Sequence, residues 1–510
     1  MNRRRFFQLT FAGAGGLLMM LLTAGCGGKL EATAEGGQRY MFLDDNWLKG
    51  QSGVTRTFHI PDKEQGNPVI TVKEFKKGVG PYTFSWENKQ TPYTAWFGTY
   101  DEEEGTYPAF LMTSVDGLSD WTEASHEKSD IMSIGEGNKQ CFIYMHNKSS
   151  QHGDYAYLGA VGFRHSPDYN TFHWRFRRSH DGIHWEKFPD DPIWDGPSDV
   201  MQIFWDEHKQ KFVAYYKVWR YTGTTLEGKP YLAYGHLDSE VEKNGTVFHL
   251  HGTTYLPKQT IDVKLQYGGG KTADDGGGGA SNTKLQMSRV VGYAESSDFL
   301  HWENEQIIIE PSADAPFGDQ SYGMSVACKG NMYISMYSHF NSVTGLIQPI
   351  LAWSYDGIHF SLHDRQFFVA SGKPGDWDYG MILISEPVDI GKDQLCIYYG
   401  SLAVDHKNPD LSQYHGALGR AWLRKDGYAS LKGGQVETVP LRVQAQRMSV
   451  NMTGEVGVTV KSVTGKVIGK AVLRGDHLNI VPDIDLSAFL NCDVIIQLDL
   501  SAGELYAITI

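Results

Sequence analysis

One short motif recurs along the chain and constrains the fold more than any other feature. Each copy has an aspartate, followed in four of the five copies by a glycine, and most copies end on an aromatic residue. The copies lie at 114–121, 179–185, 296–302 and 354–360, with a reduced fifth copy at 424–428. Aspartate accepts hydrogen bonds from the backbone just ahead of it, and glycine tolerates the positive φ of a tight turn. Because a strand-like run precedes each copy, the pattern predicts a repeated strand-and-turn unit.

The spacing of the copies indicates how the units are arranged. Their first residues lie 65, 117, 58 and 70 positions apart, so one interval carries a long insertion. Regular repetition of a small antiparallel sheet is typical of a propeller. The sequence therefore predicts an all-β fold with a five-bladed β-propeller over residues 27–434 and an insertion at 222–288. A long β-sandwich with coincidental Asp-Gly turns is the alternative.

The chain changes character from about residue 435 onwards. Runs such as VGVTVKSV, KVIGKAVL and DVIIQLDL alternate apolar and polar residues and contain few aromatic side chains. Alternation with a period of two is typical of half-buried strands. Residues 435–510 are therefore predicted to form a separate C-terminal β-sandwich.

The first residues have the pattern of an export signal. A basic segment with consecutive arginines precedes an apolar run that ends in Leu-Thr-Ala-Gly and Cys26. The arginines resemble a twin-arginine signal, and the end of the run resembles a bacterial lipobox. Residues 1–26 are thus predicted to be a signal peptide, and Cys26 is the predicted lipidation site. The lipid would anchor the protein in the bacterial cell envelope, either in the periplasm or on the outer surface. An ordinary secretory peptide with an incidental cysteine is the alternative.

Composition narrows the range of partners. The formal net charge is −14, which disfavours nucleic acid and leaves the N-terminal lipid as the expected membrane contact. Aromatic residues make up 13% of the chain, which suits a sugar-binding protein. The remaining cysteines have no metal-site or redox spacing, so no metal and no cofactor are predicted: Cys141, Cys328, Cys396 and Cys492.

Candidate catalytic residues come from the expected position of a propeller's site. Propellers place function at the mouth of the channel, where the innermost strands begin, so acids ahead of the first strand of each unit are candidates. Four carboxylates fit this description: Glu87, Asp199, Asp319 and Asp378. Glycoside hydrolysis uses two carboxyl groups, one as acid and the other as base or nucleophile. Each acid alone is equally well explained as a solvated or turn-capping carboxylate.

Aromatic and histidine side chains are candidates for binding the substrate. Trp86, Trp205 and Trp377 are placed to stack on sugar faces, although packing between blades explains them as well. His339 and His406 are candidates for binding sugar hydroxyls or transferring protons. A structural role is the alternative for both histidines.

Several segments resemble glycoside hydrolase family 32. GPSDVMQIFWDEHKQKFVAYYK, at 196–217, is similar to a strand segment of that family, and Asp199 matches its transition-state-stabilising aspartate. Ser198 and Val200 replace the family's arginine and proline. FLDD, WDYGM and LRKDGYASL resemble a family-32-like group of bacterial proteins. The resemblance implies a propeller followed by a β-sandwich, and glycosidase chemistry.

The chain also departs from that family. The Trp-Met-Asn-Asp-Pro-Asn-Gly nucleophile motif and the Glu-Cys acid/base pair of fructosidases are both absent. The resemblance therefore implies neither the sugar nor the stereochemistry. We expect an exported glycoside hydrolase that acts on plant or algal oligosaccharides or polysaccharides. A non-catalytic carbohydrate-binding lipoprotein is the alternative, and the missing motifs favour it.

Overall fold

The computed structural model describes residues 37–101, 108–124, 138–146, 152–164, 172–224, 230–234, 237–241, 247–253, 260–266, 285–312, 315–390, 393–408 and 410–510. These residues are almost entirely β-strand, which confirms the all-β prediction. Their helices are one α-helix, α1 (Val72–Phe75), and 3₁₀ turns at Leu411–Gln413 and Ser487–Phe489. None of the described helices is long and apolar enough to cross a membrane. The predicted signal peptide and Cys26 lie outside the described residues.

The strands of the first half are β1 Arg39–Met41, β2 Leu48–Ser52, β3 Thr55–Phe58, β4 Asp62–Lys63, β5 Thr83–Asn88, β6 Tyr93–Gly98, β7 Ala109–Ser114, β8 Thr122–Glu123, β9 Asn138–His146, β10 Tyr157–Arg164, β11 Phe172–Ser179, β12 Trp185–Lys187, β13 Ile193–Asp195, β14 Met201–Asp206, β15 Lys211–Thr224, β16 Pro230–Tyr234, β17 Leu237–Val241, β18 Val247–Thr253 and β19 Thr260–Gln266. Those of the second half are β20 Leu285–Ser296, β21 Glu303–Ile309, β22 Asp319–Lys329, β23 Met332–Asn341, β24 Ile347–Ser354, β25 Ser361–Phe367, β26 Met381–Ile384, β27 Gln394–Leu402, β28 Gly416–Arg424, β29 Ala429–Lys432, β30 Gln435–Thr438, β31 Leu441–Arg442, β32 Ser449–Ser462, β33 Val467–Ile480 and β34 Asp493–Thr509.

Most strands belong to four-stranded antiparallel meanders, and most sheet neighbours within them are consecutive along the chain; the exceptions are β15 with β20, across the insertion, and β28 with β4. The orders are β5-β6-β7-β8, β9-β10-β11-β12, β14-β15-β20-β21, β22-β23-β24-β25 and β26-β27-β28-β4. A parallel bridge between Ile347 and Met381 joins the last two into one sheet. Strands β17–β19 of the predicted insertion form a three-stranded sheet of their own.

The recurring motif forms the turn between the third and fourth strands of four of these meanders. In the second meander, Ser179 Oγ accepts from the Gly182 N–H at 2.9 Å and donates to the His184 carbonyl at 2.5 Å. Asp181 Oδ1 accepts from the N–H groups of Ile183 and His184, each at 2.8 Å. The serine and aspartate therefore satisfy backbone groups that a tight turn leaves without ladder partners.

The other three turns repeat this arrangement around Asp116, Asp298 and Asp356. The glycine of the motif has a positive φ in three turns, including +77° at Gly182, and Phe299 takes its place with a φ of 68° in the third turn. The turn tolerates a side chain there because the hydrogen bonds of its aspartate hold the backbone.

The nine-stranded sheet at the C-terminal end also contains the first strands of the described chain. Strand β1 pairs with β34, β2 with β30, and β3 with β29. Buried valine, leucine and isoleucine side chains of β32 and β34 form its core. Residues 39–58 thus belong to this sheet rather than to the meanders, and the predicted division at 434/435 stays a prediction.

The amino ends of four meanders meet in one buried cluster. Tyr82 and Val200 lie just before β5 and β14, Met381 begins β26, and Tyr322 is the fourth residue of β22; the four side chains belong to one buried cluster. An ion pair between Lys89 and Glu386 also links the segments that follow β5 and β26.

Candidate functional site

Asp199 lies just ahead of β14, where the first strands of the meanders meet. Its carboxylate is 4% exposed and forms an ion pair with Lys217, which is 2% exposed. Ser198 Oγ also donates to Asp199 Oδ1 at 2.8 Å. The backbone sets this geometry, since the Ser198 N–H donates to the Lys217 carbonyl and the Lys217 N–H donates to the Val200 carbonyl. These bonds extend the β14–β15 pairing and place the acid opposite the lysine.

Two further side chains extend this pair into a larger group. The Lys217 ammonium lies 4.6 Å from the centre of the Tyr322 ring, within the range of a cation–π contact. Arg289 lies 5.5 Å from the same ring, and its Nη1 donates to Gln320 Oε1 at 2.8 Å. Both cations are buried, and both contact the Tyr322 ring.

His406 completes the group from the fifth meander. Its Nε2 is hydrogen-bonded to the Tyr322 hydroxyl at 2.9 Å. Burial lowers the pKa of His406 well below its usual value, and the charges of Arg289 and Lys217 lower it further. The imidazole is therefore neutral at neutral pH. We call Asp199, Lys217, Arg289, Tyr322 and His406 the Asp199 cluster; of these five, the sequence predicted only Asp199 and His406.

Asp319 begins β22 and adds a second carboxylate at the same end of the first strands. His339 Nε2 and Asn341 Nδ2 each lie 3.1 Å from Asp319 Oδ1. The next residue, Gln320, contacts Arg289 of the Asp199 cluster. Asp319 and His339, both predicted from the sequence, are thus paired with one another beside that cluster.

An exposed aromatic ring that the sequence analysis missed lies next to Asp319. Phe317 is 66% exposed at the tip of a turn closed by a hydrogen bond from the Asp319 N–H to the Pro316 carbonyl. Gly318 has a φ of +89°, which glycine tolerates without strain. The Ser342 N–H donates to the Gly318 carbonyl at 2.7 Å and fixes the turn to the neighbouring loop.

Glu87 and Trp86 lie elsewhere. The sequence places Glu87 ahead of a first strand, but the structure places it near the carboxyl end of β5, where the Trp96 indole donates to its Oε2 at 3.2 Å. Trp86 is buried and packs edge-on against Phe84. Neither residue is brought to the Asp199 cluster, because the amino ends of the strands meet there.

Trp205 is also a packing residue. It lies near the carboxyl end of β14, and its ring contacts the Phe212 ring edge-on at 5.0 Å. It belongs to a buried core with Trp194 and Phe299. The alternative of blade packing, weighed for Trp86 and Trp205 at the sequence level, agrees with these contacts.

Asp378 and Trp377 form a second, separate group. Lys63 Nζ of β4 lies 2.6 Å from Asp378 Oδ2, and the Tyr399 hydroxyl lies 3.5 Å from the same atom. The Trp377 ring stacks on the Tyr399 ring with 5.5 Å between centres. These partners differ from those of Asp199, so the structure groups Asp378 with the outermost strand of its meander.

The residues that the sequence analysis missed carried a weak signal. Lys217 ends the apolar run KFVAYYK, and Arg289 begins the apolar run RVVGYAES. A charged residue inside a buried strand needs a partner. The sequence does not say which partner. Among the described residues, no group of three or more His, Cys, Asp or Glu is arranged to hold a metal ion.

No family model and no curated protein matches the chain. The solved structures similar to it include one described as a glycoside hydrolase, with 10% identity, a TM-score of 0.40, and coverage of 74% of this chain and 92% of that one. An N-acetylgalactosamine deacetylase from F. plautii has 13% identity, a TM-score of 0.40, and coverage of 77% and 95%. A Bombyx mori family 32 beta-fructofuranosidase has 11% identity, a TM-score of 0.33, and coverage of 89% and 93%. We therefore argue the function from the side chains of this chain.

Proposed function

We propose that the protein is an exported glycoside hydrolase that acts on a plant or algal oligosaccharide or polysaccharide. In this proposal the five antiparallel meanders are the five blades of a β-propeller, and the C-terminal sheet is part of a β-sandwich. The observation that carries the proposal is the buried Asp199 carboxylate, held by Lys217 where the first strands of four meanders meet. Enzyme sites in propellers lie where these strands converge.

The proposed chemistry uses Asp199 and Asp319. Hydrolysis of a glycosidic bond needs one carboxyl group that protonates the leaving oxygen and a second that attacks the sugar or activates water. Asp199 has an ammonium partner, which stabilises an anion, so we assign it the role of base or transition-state stabiliser. Asp319, on the neighbouring first strand, is the candidate for the second role. Glu87 and Asp378 rank below these two because their partners lie elsewhere.

Neutral groups of the same region are suited to binding a sugar. The Tyr322 hydroxyl and the neutral His406 imidazole can hydrogen-bond sugar hydroxyls without carrying charge. The exposed Phe317 ring offers an apolar face on which the C–H face of a sugar ring can stack. We propose that Phe317 binds the substrate on the solvent side of Asp319.

The test is a product-release assay with a panel of aryl-glycosides and plant and algal oligosaccharides. We expect Asp199→Asn to lower turnover by about 10²–10⁴-fold, the usual range for removing a general acid or base. The matched control is Glu87→Gln, which also neutralises one carboxylate but lies at the other end of its strand. Both variants are first checked for native circular dichroism. Turnover of a folded Asp199→Asn variant equal to that of the parent would remove Asp199 from the mechanism.

A non-catalytic carbohydrate-binding protein is the second candidate. The absence of the fructosidase nucleophile motif from the sequence favours it. This candidate predicts saturable binding of an oligosaccharide with no released product. It also predicts that Phe317→Ala weakens binding, whereas Asp199→Asn has little effect.

We also propose that the protein is anchored in the cell envelope by a lipid on Cys26. The small residues before Cys26 and the apolar run before them support this assignment. Metabolic labelling with palmitate should mark the parent chain and not the Cys26→Ser variant. Equal labelling of the two would exclude Cys26 as the lipidation site.

A further inference from the structure

A groove crosses the outer face of the C-terminal sheet, apart from the proposed catalytic site. Its volume is about 700 Å³, and five neighbouring strands line it: β2, β30, β34, β32 and β33. Strands in a sheet lie 4.7–4.9 Å apart, so the groove is about 19 Å long across the strands. This length matches a short linear polymer lying across the sheet.

The strand register shows which side chains form the floor. One cross-strand row contains Gly50, Glu437, Gln497, Thr459 and Lys470, which are direct partners from β2 to β33. Directly paired residues project from the same face of a sheet. The row therefore places an acid, an amide, a hydroxyl and an amine side by side.

A second row, two residues along each strand, projects from the same face. It contains Ser52, Gln435, Asp499, Gly457 and Val472. The row between them contains Val436, Leu498 and Val458, whose side chains are buried in the core on the opposite face. The groove floor is therefore polar, while its underside is anchored by the hydrophobic core.

Hydrogen bonds hold the floor side chains in place. Gln497 Nε2 donates to Glu437 Oε2 at 2.6 Å, and Lys49 Nζ donates to Glu437 Oε1 at 2.9 Å. Lys470 and Asp499 add one charge of each sign to the lining. Hydrogen bonds from Lys49 and Gln497, and the nearby charges of Lys49 and Lys461, lower the pKa of Glu437. Acids and lysines therefore lie side by side at the groove, and neither sign of charge stands alone.

Gly50 leaves the β2 end of the groove open. A Cβ atom at Gly50 would meet nothing within 4 Å, and the φ of Gly50 lies outside the left-handed region. The space above Gly50 is therefore open, and other residues can adopt its backbone conformation. A large side chain at this position would fill the groove without displacing the sheet.

We propose that this groove is a second carbohydrate site that binds an uncharged oligosaccharide chain. Amide, carboxylate, hydroxyl and amine groups in one row offer both the donors and the acceptors that sugar hydroxyls need. The acids and lysines at the groove compensate one another, which suits a ligand that carries no charge. An extended peptide is disfavoured, because β-strand addition would occur along the edge of β2 or β33, whereas the groove crosses the face of the sheet.

The experiment compares the full chain with Gly50→Trp by affinity electrophoresis in gels that contain laminarin, xylan, arabinogalactan or levan. We expect at least one polysaccharide to retard the parent, and Gly50→Trp to weaken that binding by at least tenfold. The matched control is Thr57→Trp, an exposed position on β3 of the same sheet outside the groove, which should bind as the parent does. Equal melting temperatures would show that all three chains are folded.

Two results would overturn the proposal: no retardation of the parent by any polysaccharide, or equal retardation of the parent and Gly50→Trp. The groove does not depend on the proposed catalytic site, and the assays separate the two. Gly50→Trp should hydrolyse short aryl-glycosides at the parent rate, whereas Asp199→Asn should keep its gel retardation while it loses turnover.

Discussion

The turn aspartates and Asp199 are both held by several donors, but the donors come from different places. Asp181 Oδ1 accepts from the N–H groups of the residues two and three positions ahead of it. Asp199 accepts from its neighbour Ser198 and from Lys217, which lies on the next strand. The turn is partly exposed and local, whereas the Asp199 cluster is buried and assembled from three meanders.

This difference predicts which of the two regions loses more stability when a hydrogen-bond or ion-pair partner is removed. A turn aspartate that loses one hydrogen bond can replace it with water, because its carboxylate is partly exposed. The side chains of the Asp199 cluster are buried, so a charge that loses its partner there carries a desolvation cost that no new partner offsets. Loss of a partner should therefore destabilise the Asp199 cluster more than a turn.

The largest expected effect is that of Lys217→Met. Methionine keeps much of the side-chain volume but leaves the Asp199 carboxylate without its ammonium, which should lower the free energy of unfolding by about 3–5 kcal/mol. Urea unfolding followed by circular dichroism measures this change. The double variant Lys217→Met/Asp199→Asn should regain part of the loss. A loss below about 1 kcal/mol for Lys217→Met would contradict the comparison.

Gly323→Ala tests how closely the strands approach at the Asp199 cluster. A Cβ atom there would lie 2.6 Å from Val200 Cγ1, so β14 or β22 must move. We expect a loss of about 1–3 kcal/mol, the usual cost of overpacking. Val200→Ala in the same chain should restore part of the stability. The third turn, in contrast, already has a side chain, that of Phe299, at the position where the other turns have glycine.

His406 gives the Asp199 cluster a pH dependence that the turns lack. Its pKa is lowered in the folded state, so its contribution is complete above the usual value of 6.5 and is lost as the pH falls below it. The free energy of unfolding should fall by about 1.4 kcal/mol per pH unit for this one group. His406→Gln should reduce the slope between pH 5 and 6.5 by that amount. An unchanged slope would show that His406 is protonated in the folded protein.

The smallest expected effect is that of Asp298→Asn in the third turn. Burial raises the pKa of the Asp298 carboxyl, but hydrogen bonds from His301, Leu300 and Ser296 outweigh it and bring the pKa to about 2. Asparagine keeps an accepting oxygen and loses the charge, so we expect a loss of about 1 kcal/mol at pH 7.

This difference between parent and Asp298→Asn should shrink as the acid is titrated. The folded-state pKa is below the reference value of 3.8, so the carboxylate stabilises the fold fully above that pH and less as the pH falls towards 2. Urea unfolding of the parent and of Asp298→Asn at pH 7, 5 and 3 measures this difference in the free energy of unfolding. A difference that stays constant down to pH 3 would mean that charge has no part in holding the turn.

Some features of the site were predictable and others were not. Asp199 stood out because it is a lone acid in a polar segment ahead of an apolar strand, and the structure buries it with an ion-pair partner. Glu87 followed the same reasoning with a different result, because TPYTAWFG at 91–98 is the second strand of its meander and not the first. The error in strand order moved Glu87 to the opposite end of β5.

The sequence by itself determined the turns and the all-β character of the chain. The hydrogen bonds of each turn join residues within a few positions of one another. The residues of one motif copy therefore specify the conformation of that turn. Strand periodicity is equally local. These features needed no knowledge of the rest of the chain.

Only the tertiary structure decided which side chains surround Asp199. The Tyr322 hydroxyl and His406 are 84 residues apart, and their contact depends on how two meanders pack. The same holds for β1–β3, whose pairing with the C-terminal sheet spans hundreds of residues. Such contacts form when meanders pack together, because burial of a charged group is costly unless it is paired. The partner lies far away in the sequence, so no local pattern specifies it.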